Sequence, residues 1–477
     1  MEGKYLFQVI CREVLRRSKP DEKERVDTIQ FTDHLIKKLK KALKESHLRA
    51  EVKLQGSIAK DTWLAGEKDV DIFILLPKAL GRRQFQNVLK VVKRVAGEDW
   101  KEAYAEHPYI EAKIEGFTVD FVPCFKIKNA SEAVSSVDRT PLHTKYMKKR
   151  LDERMKDEVR LLKRFMRGIG TYGAEIKVGG FSGYLCEVLI LYYGSFMKLL
   201  EAAAYWRRGE IIDLEGHYVG EIEKAEEIFR DSSLIVIDPI DKTRNVASSV
   251  KECRLNEFIA ASREFLKHPS LNFFYPEKIK PFSPEKILRE MNQRGTSLMA
   301  IKFRSIKTVP DVLWGKLYKS QKAISNLIQR NGFRIINEDL WSDEENINIF
   351  LFELESSTIP ALKKHQGPPI EKIKDCERFL EKYLKSDNLI SGPKIEDGRW
   401  IVWIKRRYTN VVDLLKKELK DGGRHLGIAS LVAEEISKSL KVLIGEEIIP
   451  LYISNSDFAH FLTEYLTGRL KWLSKRL

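Results

Sequence analysis

Early in the chain, apolar residues alternate with polar ones along two short stretches, and both alternations carry acids. The run Asp69-Val-Asp-Ile-Phe-Ile-Leu-Leu reads as a strand, and so does Thr118-Val-Asp-Phe-Val-Pro. Side chains on a strand alternate faces, so Asp69 and Asp71 project from one side, while Asp120 sits between Val119 and Phe121. Upstream, Pro20 followed by Asp21, Glu22 and Glu24 is a helix start. Val26, Ile29, Ile36, Leu39 and Leu43 then recur at helical spacing to about Ser46, predicting a face that packs under a sheet. Val52 and Leu54 predict a strand leading into the Gly56-Ser57 turn, and a short helix carries Lys60 to Leu64. A helix over 82–95 then precedes paired strands over 108–115 and 117–124. All three acids thereby fall on strands of one sheet.

Further along, Thr140-Pro141 predicts a helix start that places His143, Lys145, Lys148 and Lys149 in the first turns. The greasy run Tyr184 to Leu200 reads as one buried helix. The apolar strand Leu234 to Ile237 leads into Asp238-Pro-Ile-Asp-Lys-Thr-Arg-Asn, read as a turn into a helix. Pro276, Pro281 and Pro284 mark a connector. Thr296 to Lys302 and Asn346 to Glu355 predict strands around a helix over 316–331, the pattern of a strand-helix-strand RNA-binding module. His365-Gln-Gly-Pro-Pro reads as a turn, followed by a charged helix to about Lys385. Arg399 to Arg407 is either an RNA-contact strand or a charge-protected edge strand. Thr467-Gly468 closes a helix before the basic tail Arg469 to Leu477, which holds Trp472 and reads as a contact for RNA or a partner. No internal repeat is visible, which excludes a solenoid.

Composition changes this picture in two ways. Lys and Arg number 84 against 69 Asp and Glu over 477 residues, a formal charge of +15, which favours a polyanionic partner. The five cysteines, Cys11, Cys124, Cys186, Cys253 and Cys376, are widely spaced without a C-x-x-C pair, fitting a reducing cytoplasm and excluding a zinc cluster. The segment Tyr184 to Leu200 carries Glu187 and Lys198 and falls short of a span of about 20 residues, and the N-terminus lacks a signal-peptide pattern; no membrane is expected.

Two like charges on one apolar strand face need a cation. The simplest reading of Asp69, Asp71 and Asp120 is a divalent metal site, with Mg²⁺ favoured because it takes a few carboxylates plus substrate phosphate oxygens. Two such ions can clamp an in-line displacement, which points to phosphoryl or nucleotidyl transfer. Gly56 lets the backbone approach a ligand, and the Ser57 hydroxyl can help to hold a polyphosphate. Lys145 to Arg167 holds ten basic residues against four acids, either a solvated helix face or a phosphate-binding one.

A Gly-Ser turn, a D-x-D strand and a distal Asp resemble the signature of the nucleotidyltransferase superfamily, which includes DNA polymerase beta and poly(A) polymerases. More narrowly, GSIAKDTWL, TVDFVPCF, RTPLHTKYM, EVRLLKRFMRGIGTYGAEIKVGGFSGYLCE, DPIDKTRNVA and KHQGPP resemble the archaeal class I CCA-adding enzymes, the tRNA nucleotidyltransferases.

The resemblance implies a multidomain α+β fold. Residues 1–150 would form a polymerase-beta-like catalytic domain, 151–275 a central helical domain, and 276–477 α/β C-terminal RNA-binding domains. It implies addition of C, C and A to the 3′ end of tRNA at its acceptor stem, using CTP and ATP, by a cytoplasmic homodimer with two Mg²⁺ ions. Asp69, Asp71 and Asp120 would hold the metals. Ser57, Lys60, His143, Lys163 and Tyr172 would contact the nucleotide, mostly its triphosphate, and Arg244 would help read the base edge together with RNA phosphates. Lys60 stands where the family can carry Arg, giving a point charge instead of a fork. Alternatives are a poly(A) polymerase or an oligoadenylate synthetase on the same acids, or a catalytically idle RNA-binding protein.

Overall fold

A computed structural model describes residues 2–104 and 107–473. The chain forms two compact units, Met1–Lys278 with Arg469–Leu477, and Ile279–Gly468.

The first unit opens with helices α1 (Glu2–Ser18) and α2 (Glu22–Glu45), the latter capped by the Asp21 carboxylate accepting from the Glu24 amide. The buried stripe of α2 is Thr28, Thr32, Leu35, Leu39 and Leu43. Val26 and Ile29, expected on that stripe, are exposed, because a helix repeating every 3.6 residues turns them away once Leu35, Leu39 and Leu43 face the core. Next come β1 (Glu51–Gln55), the five-residue helix α3 (Gly56–Lys60), β2 (Asp69–Pro77), α4 (Arg83–Ala96), β3 (Trp100–Tyr104), β4 (Pro108–Ile114) and β5 (Phe117–Lys126). The strands form one sheet in the order β1-β2-β5-β4-β3, with β2 and β5 parallel. Strand β3 and helix α1 escaped the sequence reading. Val70, Ile72, Ile74, Leu76, Val119 and Phe121 bury one sheet face against α2 and α4. The acids take the other face, with Phe73, Leu75 and Cys124.

Helices α5 (Thr140–Arg150) and α6 (Glu153–Ile169) follow, then α7 (Gly183–Tyr193) and α8 (Phe196–Ala203). The single helix expected from Tyr184 to Leu200 is therefore two, bent by 92°. Gly194 takes a left-handed φ of 80°, and the Ser195 hydroxyl caps the next helix. Among the described residues no single helix is long and apolar enough to cross a membrane. Strand β6 (Glu210–Asp213), helix α9 (Ile222–Ile228), strands β7 (Leu234–Asp238) and β8 (Asp241–Asn245), and helix α10 (Glu252–Lys267) complete this unit's main elements. The expected turn into a helix after Asp238 is instead a hairpin, because the Asn245 side chain bridges the Val236 amide and the Leu234 carbonyl and pairs the two segments. Phe165, Phe181, Phe196, Phe258, Phe265 and Phe274 fill the core, joined by Trp472, which stacks on Phe273 at 5.1 Å. Trp472 of the basic tail is thus a core residue, because its indole finds an aromatic partner there; the tail's last four residues, 474–477, lie outside the described residues.

The second unit contains α11 (Pro284–Gln293), β9 (Ser297–Arg304), α12 (Pro310–Arg330), β10 (Ile335–Ser342), β11 (Ile347–Leu354), β12 (Leu362–Pro369) and α13 (Ile373–Leu384). It continues with β13 (Leu389–Glu396), β14 (Arg399–Lys405), α14 (Val411–Glu418), α15 (Ser430–Ser439), β15 (Lys441–Ile444), α16 (Ile449–Ser454) and α17 (Ser456–Thr467). Two sheets result, β10-β11-β9-β15 and β12-β14-β13. Arg399 to Lys405 is the central strand of the second sheet, not an edge, because Ile401 and Val402 are buried and both flanks are paired. His365 and its neighbours, expected as a turn, belong to β12 and pair with β14 up to Pro369. Gly468 closes α17 with φ 63°, as its sequence predicts.

Candidate active site

The loop from Gly56 to Glu67 is held by tight backbone geometry and by a neighbouring helix. Gly56 has φ +68°, and a Cβ there would lie 1.8 Å from Asp71 Oδ2, so only glycine lets this turn touch the strand acid. Helix α3 stops at Lys60, short of the expected Leu64, because Asp61 adopts a left-handed φ of 55°. Arg160 of α6 explains why that conformation persists: its guanidinium donates to the Asp61 carbonyl (2.6 Å), Asp61 Oδ1 (2.5 Å) and the Trp63 carbonyl (3.1 Å). One turn on, Lys163 Nζ donates to the Thr62 carbonyl (2.9 Å) and hydroxyl (3.2 Å), and Arg167 pairs with Glu67. These cations recur along one helical face, where Arg160 and Lys163 are buried and Arg167 is exposed but paired.

The sheet brings the acids together. Across the strands one register row reads Gln55, Asp71, Asp120, Glu111, Lys101, and Asp69 sits opposite Thr118. Burial pushes the Asp71 carboxyl up to about 6, against the pull of Lys60, with Asp69 adding to the rise. Burial, then Asp71 and Glu111, push Asp120 up to about 7. Asp69 is raised by burial and by Glu67. Asp120 Oδ1 is buried without a hydrogen-bond partner. A buried anionic oxygen lacking a donor beside a second raised carboxyl fits a hard divalent cation. Among the described residues, no three acid, imidazole or thiol groups already close around a point, so Asp69, Asp71 and Asp120 share a face without forming a finished cage. Glu111, ion-paired to Lys101 at 2.8 Å, is a fourth acid that the sequence reading missed, although it stands between apolar neighbours on its strand as Asp120 does.

A cavity of about 400 Å³ opens on this row, lined by Gly56, Lys60, Asp71, Asp120, His143, Tyr184 and Arg244 among others. Of the nine residues named from the sequence, Lys60, Asp71, Asp120, His143 and Arg244 line it; Ser57, Asp69, Lys163 and Tyr172 lie outside its lining. Lys60 Nζ donates to buried Glu187 (2.6 Å), which also accepts from the Thr62 hydroxyl (2.7 Å). Through Thr62 this one carboxylate reaches Lys163, whose ammonium is held below its usual pKa by burial, with Glu187 opposing. Tyr172 lies under the Arg167 guanidinium at 4.9 Å. A Cβ on Gly183 would come within 3.1 Å of the Tyr172 hydroxyl and 3.6 Å of Lys163 Nζ, so the bare start of α7 brings these two groups together.

On the opposite wall, His143 Nε2 and Arg244 Nη1 both meet Asp238 Oδ2, at 2.9 and 2.7 Å. Burial alone would raise the Asp238 carboxyl, but His143 and then Arg244 outweigh it and hold it below the ordinary range. Burial lowers the His143 imidazole despite Asp238. Asp238 and Glu187, both fully buried, are the organising residues that sequence reasoning missed. The available signal was a lone acid inside or at the end of an apolar run.

Three family descriptions match successive parts of the chain: "Nucleotidyltransferase domain" over residues 36–143, "tRNA nucleotidyltransferase, second domain" over 157–275, and "CCA-adding enzyme, C-terminal domain" over 294–445. Enzymes of the nucleotidyltransferase family generally depend on a divalent metal. The CCA-adding enzyme of Methanosarcina mazei is 36% identical over 457 residues, covering 95% of this chain and 97% of that protein. That of Methanosarcina barkeri is 37% identical with the same coverage. That of Methanocaldococcus jannaschii is 36% identical over 91% of this chain and 96% of its own. With identity at this level along nearly the whole length, the chain belongs to the CCA-adding enzyme family, the tRNA nucleotidyltransferases.

Proposed function

We propose that this protein adds C, C and A to the 3′ end of tRNA without a nucleic-acid template, consuming CTP and ATP and releasing pyrophosphate. The observation that carries this reading is the row in which Asp71 and Asp120 stand side by side in one cavity with Lys60, His143 and Arg244. Family membership along the chain supplies the substrate class.

In this proposal Asp69, Asp71 and Asp120 hold two Mg²⁺ ions, a reading supported by the donor-free Asp120 oxygen. When bound, such ions lower the proton affinity of the attacking 3′ hydroxyl and offset charge on the departing pyrophosphate. The 3′ oxygen bonds to the α-phosphorus as the bond to pyrophosphate breaks. Lys60 uses one of its three donors on Glu187, leaving two for phosphate oxygens. His143 offers a further donor to the triphosphate once its imidazole is protonated. Lys163 fixes the loop through the Thr62 carbonyl and hydroxyl, and Ser57, Lys163 and Tyr172 are proposed to contact the nucleotide, mostly its triphosphate. Arg244 carries only donors, which suit the ring-nitrogen acceptors on cytosine and adenine and meet a donor at the matching edge of uracil or guanine.

The C-terminal sheets, with basic and aromatic residues on β14, are proposed to bind the tRNA body, and the resemblance supports a cytoplasmic homodimer. Light scattering tests the latter. For the reaction, tRNA lacking its last three nucleotides is incubated with each NTP alone and in pairs, and the ends are sequenced. CTP alone should give two additions, and CTP with ATP should give CCA and then termination. A long A tail or 2′-linked products would overturn the proposal.

A further inference from the structure

Asp238 ends β7 with no exposed surface, and four donors converge on it. Oδ2 receives His143 Nε2 and Arg244 Nη1, and Oδ1 receives the Tyr184 hydroxyl (3.3 Å) and the Ile240 amide (3.1 Å). A carboxylate so supplied is ionised and accepts only, so the hydrogen between it and the imidazole sits on Nε2. The ring's second nitrogen, Nδ1, then carries a lone pair while the imidazole is neutral. A triphosphate is rich in acceptors and has no donor to offer that lone pair; Nδ1 bonds to it only after taking a proton.

The charged and titratable groups facing the ring come from four elements: Asp238 on β7, Arg244 on β8, Lys60 on α3 and Tyr184 on α7, whose ring centroid is 4.2 Å away. Asp238 is the one anion among them and already serves Arg244, while Lys60 and Arg244 both disfavour a further positive charge. Without ligand the balance leaves the imidazole neutral. A polyphosphate in the cavity adds the anion that tips it.

We infer that Asp238 is a positioning residue that fixes His143 and Arg244 through one shared oxygen, and that nucleoside triphosphate binding takes up a proton from solvent at His143 Nδ1. The inference rests on the nucleotidyltransfer reading above and deepens it: the phosphate side and the base-reading side of the site are oriented by the same atom. Removing that carboxylate should therefore disturb affinity and base selection together.

Titration calorimetry of CTP with Mg²⁺ into the full chain, in two buffers of different ionisation heat at pH 7 and 8, reads the proton directly. The wild type should take up ~0.5–1 proton per CTP beyond what His143→Gln shows, and its KM for CTP should rise correspondingly by ~3- to 10-fold per pH unit on the alkaline side. Asp238→Asn should lose the uptake, raise the KM for CTP ~10-fold or more, and narrow CTP-over-UTP discrimination in single-nucleotide incorporation, with partial rescue in Asp238→Glu. His143→Gln should lose the uptake and keep the discrimination. Equal proton uptake in wild type and His143→Gln overturns the inference, as does an Asp238→Asn enzyme that loses kcat alone with its pH profile unchanged. If Asp238→Asn fails to fold, the wild type against His143→Gln still decides. A wild type that adds no nucleotide to trimmed tRNA defeats the functional reading instead, whereas normal CCA addition without proton uptake defeats only this inference.

Discussion

Two pairs of acids stand at or behind one cavity and are treated in opposite ways. Glu187 and Asp238 are saturated by donors from the chain itself: Lys60 and Thr62 for the first, His143, Arg244, Tyr184 and an amide for the second. Asp71 and Asp120 stand beside each other with a donor-free oxygen between strands, and their carboxyls are pushed up. The first pair finds its donors within the chain, so it fixes the side chains that line the cavity. The second has unmet demand, which is what supports placing the proposed metal there. Burial alone does not separate the two; the supply of donors does.

The largest effect should come from the unmet pair. Asp120→Asn is expected to abolish nucleotide addition, by ~10³-fold or more, at saturating Mg²⁺, while tRNA affinity in a filter-binding assay stays within a few-fold. Loss of RNA affinity in step with activity would break the assignment. Its thermal stability should be equal to or above that of the wild type, since it removes a poorly solvated charge.

The satisfied pair should behave in reverse. Glu187→Gln leaves Lys60 buried without its counter-charge and is expected to lower unfolding free energy by about 3 kcal/mol in urea titrations. A stability unchanged within error would show that Glu187 is not the anchor of the loop.

Acidity offers a gentler probe of the same contrast. The raised Asp71 and Asp120 carboxyls add stability that is complete below their ordinary pKa of 3.8 and disappears as pH rises through about 6 and about 7. Asp238, held low, adds stability that is present above 3.8 and is lost on acidification. In EDTA the Tm should therefore decline from pH 5 to pH 8, and millimolar Mg²⁺ should flatten that decline by binding the ionised pair. A Tm in EDTA that is flat over this range would contradict the assignment.

The smallest effect should follow Lys101→Met. It removes the cation beside Glu111 and leaves the row more anionic, so the Mg²⁺ concentration for half-maximal activity should fall by about 2-fold, more clearly at low salt. A rise would show that Lys101 supports the row by some route other than charge.

The acid row was legible because its information is local: period-two alternation put Asp69, Asp71 and Asp120 on strand faces, and the Gly56 turn is demanded by steric contact. Glu187 and Asp238 were not, since an acid in an apolar run becomes an anchor only when distant chain, Lys60 or His143, arrives to meet it. The basic run through α6 illustrates the same limit. Its Arg160 and Lys163 resemble solvated residues in sequence, yet each is almost fully buried because the loop from Asp61 to Thr62 offers carbonyls and a hydroxyl at the right height. The break at Gly194 was visible as a residue type and overlooked within a strongly apolar stretch, and the central place of β14 was not legible because, although β13 joins it through a tight hairpin, its second partner β12 lies some thirty residues upstream.

The stacking of Trp472 on Phe273 has a consequence for biosynthesis. The neighbouring tie, from the Asn272 side chain to the Lys471 carbonyl, spans 199 positions. At about 5–20 residues per second, a ribosome needs roughly 10–40 s to supply the second half of that contact after the first has emerged. During that interval the phenylalanine-rich interior of the first unit is missing a side chain, a window in which chaperone engagement or proteolytic nicking near Phe273 should be greatest.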